Sequence, residues 1–340
     1  MITRARGRAA SPRHAPGASR ALRRPRVRFA SRGGFDYKMA VRNARLASNS
    51  PRSGMSATLV ARIVETALMV ATILLLVWVA VPGVAPWRIA GSSAWRTLRS
   101  GRRALYLAAC LSILFANYAY LHLGMDQRLT ASVVAARGHD YTADVHALEG
   151  DAVACLQRGL ACPPCTWFLG FVYVVVFPCI VFVMLFVFDH LRYRRGLAML
   201  LIGYLANYLL VLPFYLWLPV REVFHYYRHD VGNGAVRLLL DDIHPAVMQA
   251  YRAMSGLDNC LPSFHTSLAV TMALLTWHLG NARFAALITV FAAANVLSTL
   301  YLGIHWVTDV AAGLAVGLIA YGLAWAFSKR WQSEPAAPAA

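Results

Sequence analysis

The sequence predicts an all-α integral membrane protein. Of 340 residues, 59% are hydrophobic and only 14% charged, a balance that a water-soluble domain does not use. Seven uncharged, mostly apolar runs recur, at 67–84, 104–123, 167–188, 197–220, 260–282, 284–304 and 310–328. Each is long enough to cross roughly 30 Å of hydrocarbon as a helix. None shows the two-residue alternation of a barrel strand, and backbone polar groups inside a bilayer must be satisfied internally, so helices remain.

The charge is distributed unevenly. Residues 1–54 carry 14 Lys and Arg and one Asp, which is +13 of the chain's +18. That segment is rich in Arg, Ser, Pro and Gly and has no apolar period, so it is expected to be a disordered basic tail. A basic arm for anionic lipid or nucleic acid, a transit peptide, and untranslated sequence ahead of a start at Met55 all fit it, and the last is preferred. The remainder is only mildly basic, so nucleic acid is not an expected partner. The expected organisation is one multi-span domain over 55–330 and a disordered tail over 331–340.

Loop charges set the expected orientation. Arg88, Arg96, Arg99, Arg102 and Arg103 lie between runs one and two, and Arg192, Arg194 and Arg195 between runs three and four. Arg283, Lys329 and Arg330 fall on the same side, which is expected to be cytoplasmic. The long segments 124–166 and 221–259, where acids outnumber bases, then face outward. Seven spans put the basic tail outside, against the positive-inside tendency.

Both outward segments hold amphipathic patterns: Val145, Leu148, Ala152 and Leu156, and Val236, Leu240, Ile243, Val247 and Tyr251. Each predicts a helix that lies on the membrane surface or packs on the bundle. Cys155, Cys162, Cys165 and Cys260 share the outward side, where an oxidising compartment permits pairing. Cys162-Pro163-Pro164-Cys165 has no second pair or histidine cluster to complete a zinc site, so a structural disulfide is expected, its partners open.

Two clusters carry chemistry. Polar groups at the mouth of a membrane bundle are costly unless used or paired, which singles out Asn259 to Ser267 at the start of run five. Pro262 can begin a helix whose first turn, with Ser263 and His265, offers free N–H groups to an anion. The second cluster, Ser298 to Asp309, returns to the same surface. His305 and Asp309 are four apart, so on a helix the carboxylate can hold one ring nitrogen and leave the other free to attack. The topology brings Arg221, His265, His305 and Asp309 to one level of one face.

These residues resemble the type 2 phosphatidic acid phosphatase superfamily, which also contains the vanadium haloperoxidases. Its motif Pro-Ser-Gly-His is similar to Pro262, Ser263, Phe264 and His265. Its motif Ser-Arg, five residues, His, three residues, Asp is similar to Ser298, Thr299, His305 and Asp309, and Tyr301, Leu302, Gly303 and Trp306 suit it. Phe264 replaces the motif Gly, Thr299 replaces the motif Arg, and no Lys-x6-Arg-Pro motif precedes run five. With Cys260 just ahead of the Pro-Ser-x-His run, the pattern looks like the inositol phosphorylceramide synthase branch, whose members transfer a phosphoryl headgroup between lipids. The resemblance covers roughly residues 197–328.

The resemblance implies a six-helix transmembrane bundle, here with one extra N-terminal span, in a bacterial inner (plasma) membrane with the site facing the periplasm or exterior. It implies a lipid-phosphate phosphatase or phosphotransferase in which His305, oriented by Asp309, attacks phosphorus while His265 protonates the departing oxygen. Ser263, Ser298 and Arg221 are the expected phosphate binders; Arg228, Arg237 and Arg252 compete with Arg221, which as an interfacial anchor would instead reach to headgroups. No metal or other cofactor is expected, and the partners are a phospholipid or other lipid phosphate and the bilayer. A non-catalytic transporter or scaffold also accounts for the spans, but not for two histidine clusters at one depth.

Overall fold

The computed structural model describes residues 53–101, 139–245, 251 and 260–330, with scattered positions between 104 and 136. By internal contacts the chain divides into residues 1–56 and 57–340, and the helical bundle belongs to the second unit. The expected tails at 1–52 and 331–340, and most of run 104–123, lie outside the described residues.

The described elements are helices, with no β-strand among them. They are α1 (Ser53–Ala80), α2 (Pro86–Arg99), α3 (Thr142–Glu149), α4 (Ala152–Leu160), α5 (Pro163–His190), α6 (Arg194–Trp217), α7 (Val223–His229), α8 (Phe264–Trp277), α9 (Ala282–Tyr301) and α10 (Val307–Phe327). Among the described residues α5, α6, α9 and α10 are long and apolar enough to cross a membrane, while Thr66–Ala80 and α8 are apolar but shorter. The expected count of seven spans is therefore seen as four full-length helices and two shorter ones.

Helix α8 lies at the centre, packed against α6, α9 and α10, and α5 closes the group against α6 and α9. Small residues on the neighbouring α10 explain the close packing of α8. A side-chain carbon on Gly313 would stand 2.6 Å from the Ser263 carbonyl, and one on Gly317 would stand 2.6 Å from the Ser267 carbonyl. Two glycines one turn apart on α10 thus let its backbone touch α8, the small-residue contact that membrane helices use. The Thr271 hydroxyl donates across this seam to the Gly317 carbonyl at 3.0 Å. The Asn207 amide of α6 donates to Thr271 Oγ1 at 3.0 Å, and bonds of this kind contribute on the order of 1 kcal/mol each. Outward-facing Leu209, Leu212, Phe214, Val290, Leu318 and Ile319 are exposed and form the apolar belt expected of lipid-facing surface.

The two ends of the bundle differ in charge. At one, Arg96 donates to the buried Asp189 carboxylate at 2.7 Å, and Arg195 reaches Ser328 Oγ at 3.3 Å and lies over the Trp325 ring. Arginines read from the segments between runs one and two and between runs three and four therefore lie at this end. The histidine clusters lie at the other end.

Three expectations about local structure change. Run 260–282 is not one helix: α8 starts only at Phe264, because the Ser263 hydroxyl accepts from the Thr266 N–H and caps it. Pro262 lies ahead of the helix and does not begin it. The pattern 145–156 forms two helices, α3 and α4, separated at Gly150, whose φ of 60° few side chains tolerate. The pattern 236–251 is not one α-helix: residues 236–244 lie outside any α-helix. Leu239–Asp242 is a short 3-10 turn, because its backbone bonds elsewhere: the Gln157 amide donates to the carbonyls of Arg237 and Tyr301 at 2.8 and 2.9 Å, and the Leu239 N–H bonds to Leu302. Val247 lies outside the described residues.

Candidate active site

The site is assembled where α8 and α10 begin. The Ser263 N–H donates to the Asp309 carbonyl at 3.0 Å, tying the two helix starts together. His265 lies in the first turn of α8. His305 precedes α10 and is not on it, which corrects the expectation that His305 and Asp309 share a helix. Asp309 is in the first turn of α10, where its Oδ2 accepts from the Trp306 N–H at 2.8 Å and stands 3.3 Å from His305 Nδ1. A helix-capping carboxylate thus also orients an imidazole.

The turn that delivers His305 depends on Gly303. Its φ is 79°, in the left-handed region that favours glycine, and a side-chain carbon there would stand 2.6 Å from the Arg237 carbonyl. The N–H groups of Ile304 and His305 both return to the Thr299 carbonyl at 3.1 and 3.0 Å. The Val223 and Phe224 N–H groups accordingly meet the Ile304 and Gly303 carbonyls from α7.

The His265 and His305 ring centroids are 6.1 Å apart. His305 is 4% exposed and Asp309 fully buried. His265 stacks on Tyr173 at 4.4 Å and meets Phe177 at 4.6 Å. Both aromatics come from α5, where Val172–Val176 forms a π-helical turn, a deviation that often accompanies functional positions. The resulting wall beside the His265 imidazole is aromatic.

The three expected phosphate-binding residues stand differently. Ser263 is buried, and its hydroxyl accepts from Thr266 while its own proton remains to be donated. Ser298 is buried and its hydroxyl donates to the Asn295 carbonyl at 2.6 Å. Arg221 is held between two carboxylates, with Nε on Asp140 and Nη1 on Asp230, both at 2.7 Å. Burial works against its charge, but the two acids raise its pKa above the usual arginine value. At the positions that depart from the motifs, Thr299 is buried with its hydroxyl turned back to Val296, and Phe264 packs on Tyr208.

Sequence reasoning did not single out Asn295, Tyr173 or Glu149, which shape the site. Asn295 donates to the His265 carbonyl at 3.3 Å, and a buried amide within an apolar run was the signal available. Tyr173 had none, because aromatic residues are ordinary in a span. Glu149 accepts from the Val307 and Thr308 N–H groups at 3.1 and 2.8 Å, occupying the start of α10 from the last residue of α3. Cys260 stands beside His305 and Asp309, with one donor atom of each of the three within 4.8 Å of the others. At the edge of the same region, Cys162 and Cys165 form a disulfide, while Cys155, Cys179 and Cys260 remain thiols. Cys162 is tied to Tyr301, whose hydroxyl meets its N–H and carbonyl at 3.2 Å.

The segment that holds both histidines, the Ser263 cap and Asp309 has a recognisable pattern: residues 196–333 match the family model described as the PAP2 superfamily. Residues 196–333 are a PAP2 superfamily domain. The matched segment runs from α6 through α10 and contains every expected site residue, on these helices or on the turns just ahead of them. Neither a curated protein nor a solved structure gives a match.

Proposed function

We propose that this chain is a membrane lipid-phosphate phosphatase or phosphotransferase that works through a phosphohistidine on His305. The observation that carries it is the pair of imidazoles 6.1 Å apart, one of them held by a buried carboxylate, within a PAP2 superfamily domain. The two imidazoles can face opposite sides of a single phosphorus, one to attack it and one to hydrogen-bond the departing oxygen.

His305 Nδ1 faces Asp309, so Nε2 is the attacking atom. It forms the N–P bond as the ester P–O bond breaks, and protonated His265 gives its proton to the leaving oxygen. Water or a lipid alcohol then attacks phosphorus, His265 takes that proton, and the N–P bond breaks. Asp309 fixes the tautomer and balances the charge that His305 gains. Ser263 is the best-prepared donor to the phosphate oxygens. Ser298 joins by releasing the Asn295 carbonyl, and Arg221 by exchanging one of its two carboxylates for phosphate.

The same reading takes residues 104–123 as the remaining core span, with 66–80 as an additional one, and puts the site on the outer face of a bacterial plasma membrane, opposite the arginine-rich end. The inositol phosphorylceramide synthase-like branch, and with it transfer to a lipid acceptor, is supported by Phe264, Thr299 and Cys260 at their motif positions.

The test is to incubate purified protein in detergent with a lipid phosphate labelled in its phosphoryl group, and quench in alkali. The expected result is an alkali-stable label on the peptide that contains His305, absent from His305→Ala, which is also inactive. Turnover by His305→Ala at the wild-type rate overturns the proposal. Adding a lipid alcohol separates the two activities by whether label appears in free phosphate or in a new lipid.

A further inference from the structure

The Asp309 carboxylate is only half accounted for. Its Oδ2 takes both the Trp306 N–H and His305 Nδ1, while Oδ1 is buried and receives no N–H or O–H donor among the described residues. A carboxylate has room for about four donors, and a buried oxygen without one is costly. Besides His305, the Cys260 thiol is within hydrogen-bonding reach of this carboxylate, and it is 1% exposed. The sulfur is fixed from behind, because the Cys260 N–H is bonded to the Val220 carbonyl at 3.2 Å. Its S–H lies 3.4 Å from the Ile304 carbonyl, the residue immediately before His305.

Among the described residues, the other two thiols have no such setting. Cys155 is exposed, and Cys179 faces the Met69 carbonyl within the bundle.

We propose that Cys260 is a positioning residue for the His305–Asp309 pair, its S–H turning from the Ile304 carbonyl to Asp309 Oδ1 when His305 becomes cationic. A weak, polarisable donor suits this place. It satisfies the second carboxylate oxygen without the competing acceptor strength of a hydroxyl, and it keeps the first oxygen aimed at Nδ1. The role rests on the proposed phosphohistidine chemistry, which it deepens.

The test compares Cys260→Ser, Cys260→Ala and Cys260→Val in the full chain, each first checked for a monodisperse peak in detergent. Ala and Val remove the donor. They are expected to lower kcat about tenfold, the usual loss for a partner once removed from the reacting atoms, to leave KM unchanged, and to move the acid limb of the pH profile to higher pH. Ser keeps a donor and is expected to restore both kcat and the acid limb. If Ala fails to fold, the Ser and Val pair decides. Equal kcat and equal acid limbs across the series overturn the proposal, and so does a Ser variant as impaired as Val, which would mean that the sulfur acts by packing. His305→Ala is run alongside: if it is inactive while the Cys260 series is flat, only this inference fails, and if it is active, the phosphohistidine reading fails first.

Discussion

Glu149 grips Thr308 twice, through the backbone N–H at 2.8 Å and the hydroxyl at 2.9 Å. The grip joins a helix outside the bundle to the first turn of the helix that carries Asp309. An anion at a helix start satisfies otherwise free N–H groups and meets the positive end of the helix dipole.

Glu149→Ala should therefore lower stability by about 1–2 kcal/mol, the usual cost of losing a helix cap. It should lower kcat more than it raises KM, because Asp309 shifts with its helix. Thermal unfolding in detergent and steady-state kinetics check this; an unchanged melting temperature would rule out the cap.

His265→Ala should depend on the leaving group. An aryl phosphate, whose departing oxygen needs no proton, should lose far less activity than a lipid alkyl phosphate, where the loss should reach about 100-fold. Equal losses on both substrates would remove His265 from the role of proton donor.

The α8–α10 seam makes a paired prediction on one helix. Gly313→Ala pushes a carbon against the Ser263 carbonyl and should destabilise by about 1–3 kcal/mol. Gly322→Ala meets nothing within 4 Å and should stabilise by about 0.5–1 kcal/mol through helix propensity. Denaturation of both variants in the same detergent decides it, and a stable Gly313→Ala would refute the close contact.

Acid should loosen the outer layer through His225. Burial, followed by the neighbouring His229 and Arg221, lowers its pKa from 6.5 to about 4, and its Nδ1 is buried without a partner. Between those values the unfolded chain binds a proton that the folded one does not, so this contribution to stability is complete above pH 6.5 and is lost as pH falls toward 4. The melting temperature should fall between about pH 7 and pH 5, and His225→Phe should reduce that fall. An identical fall in the variant would show that other groups cause it.

The parts of this molecule legible in the sequence were those set by period and depth. Apolar runs located α5, α6, α9 and α10, since a bilayer rewards length and hydrophobicity directly. The polar breaks in those runs located His265, His305 and Asp309, because such residues at a bundle mouth are costly without a use. What escaped was decided by tertiary contact. The 236–251 pattern looked helical, but Gln157 and Leu302 claim its backbone. Asp309 was read as a helix neighbour of His305, although Gly303 and the Thr299 carbonyl build a turn between α9 and α10. Arg221 looked free because Asp140 is distant in sequence and Asp230 lies beyond the next helix, α7.

The shortness of α8 sets the level of His265 in the bundle. Helices α8 and α9 meet at the turn around Gly280, yet α9 runs for 20 residues and α8 for 14, so α8 stops about 9 Å below the rim at about 1.5 Å per residue. The Asn295 bond to the His265 carbonyl marks that level. The rings of Tyr173 and Phe177 stand against the His265 imidazole at that level. Charges facing each other there attract more strongly than they would at the surface, so the buried Asp309 carboxylate holds a positive charge on His305 more firmly than a surface acid would.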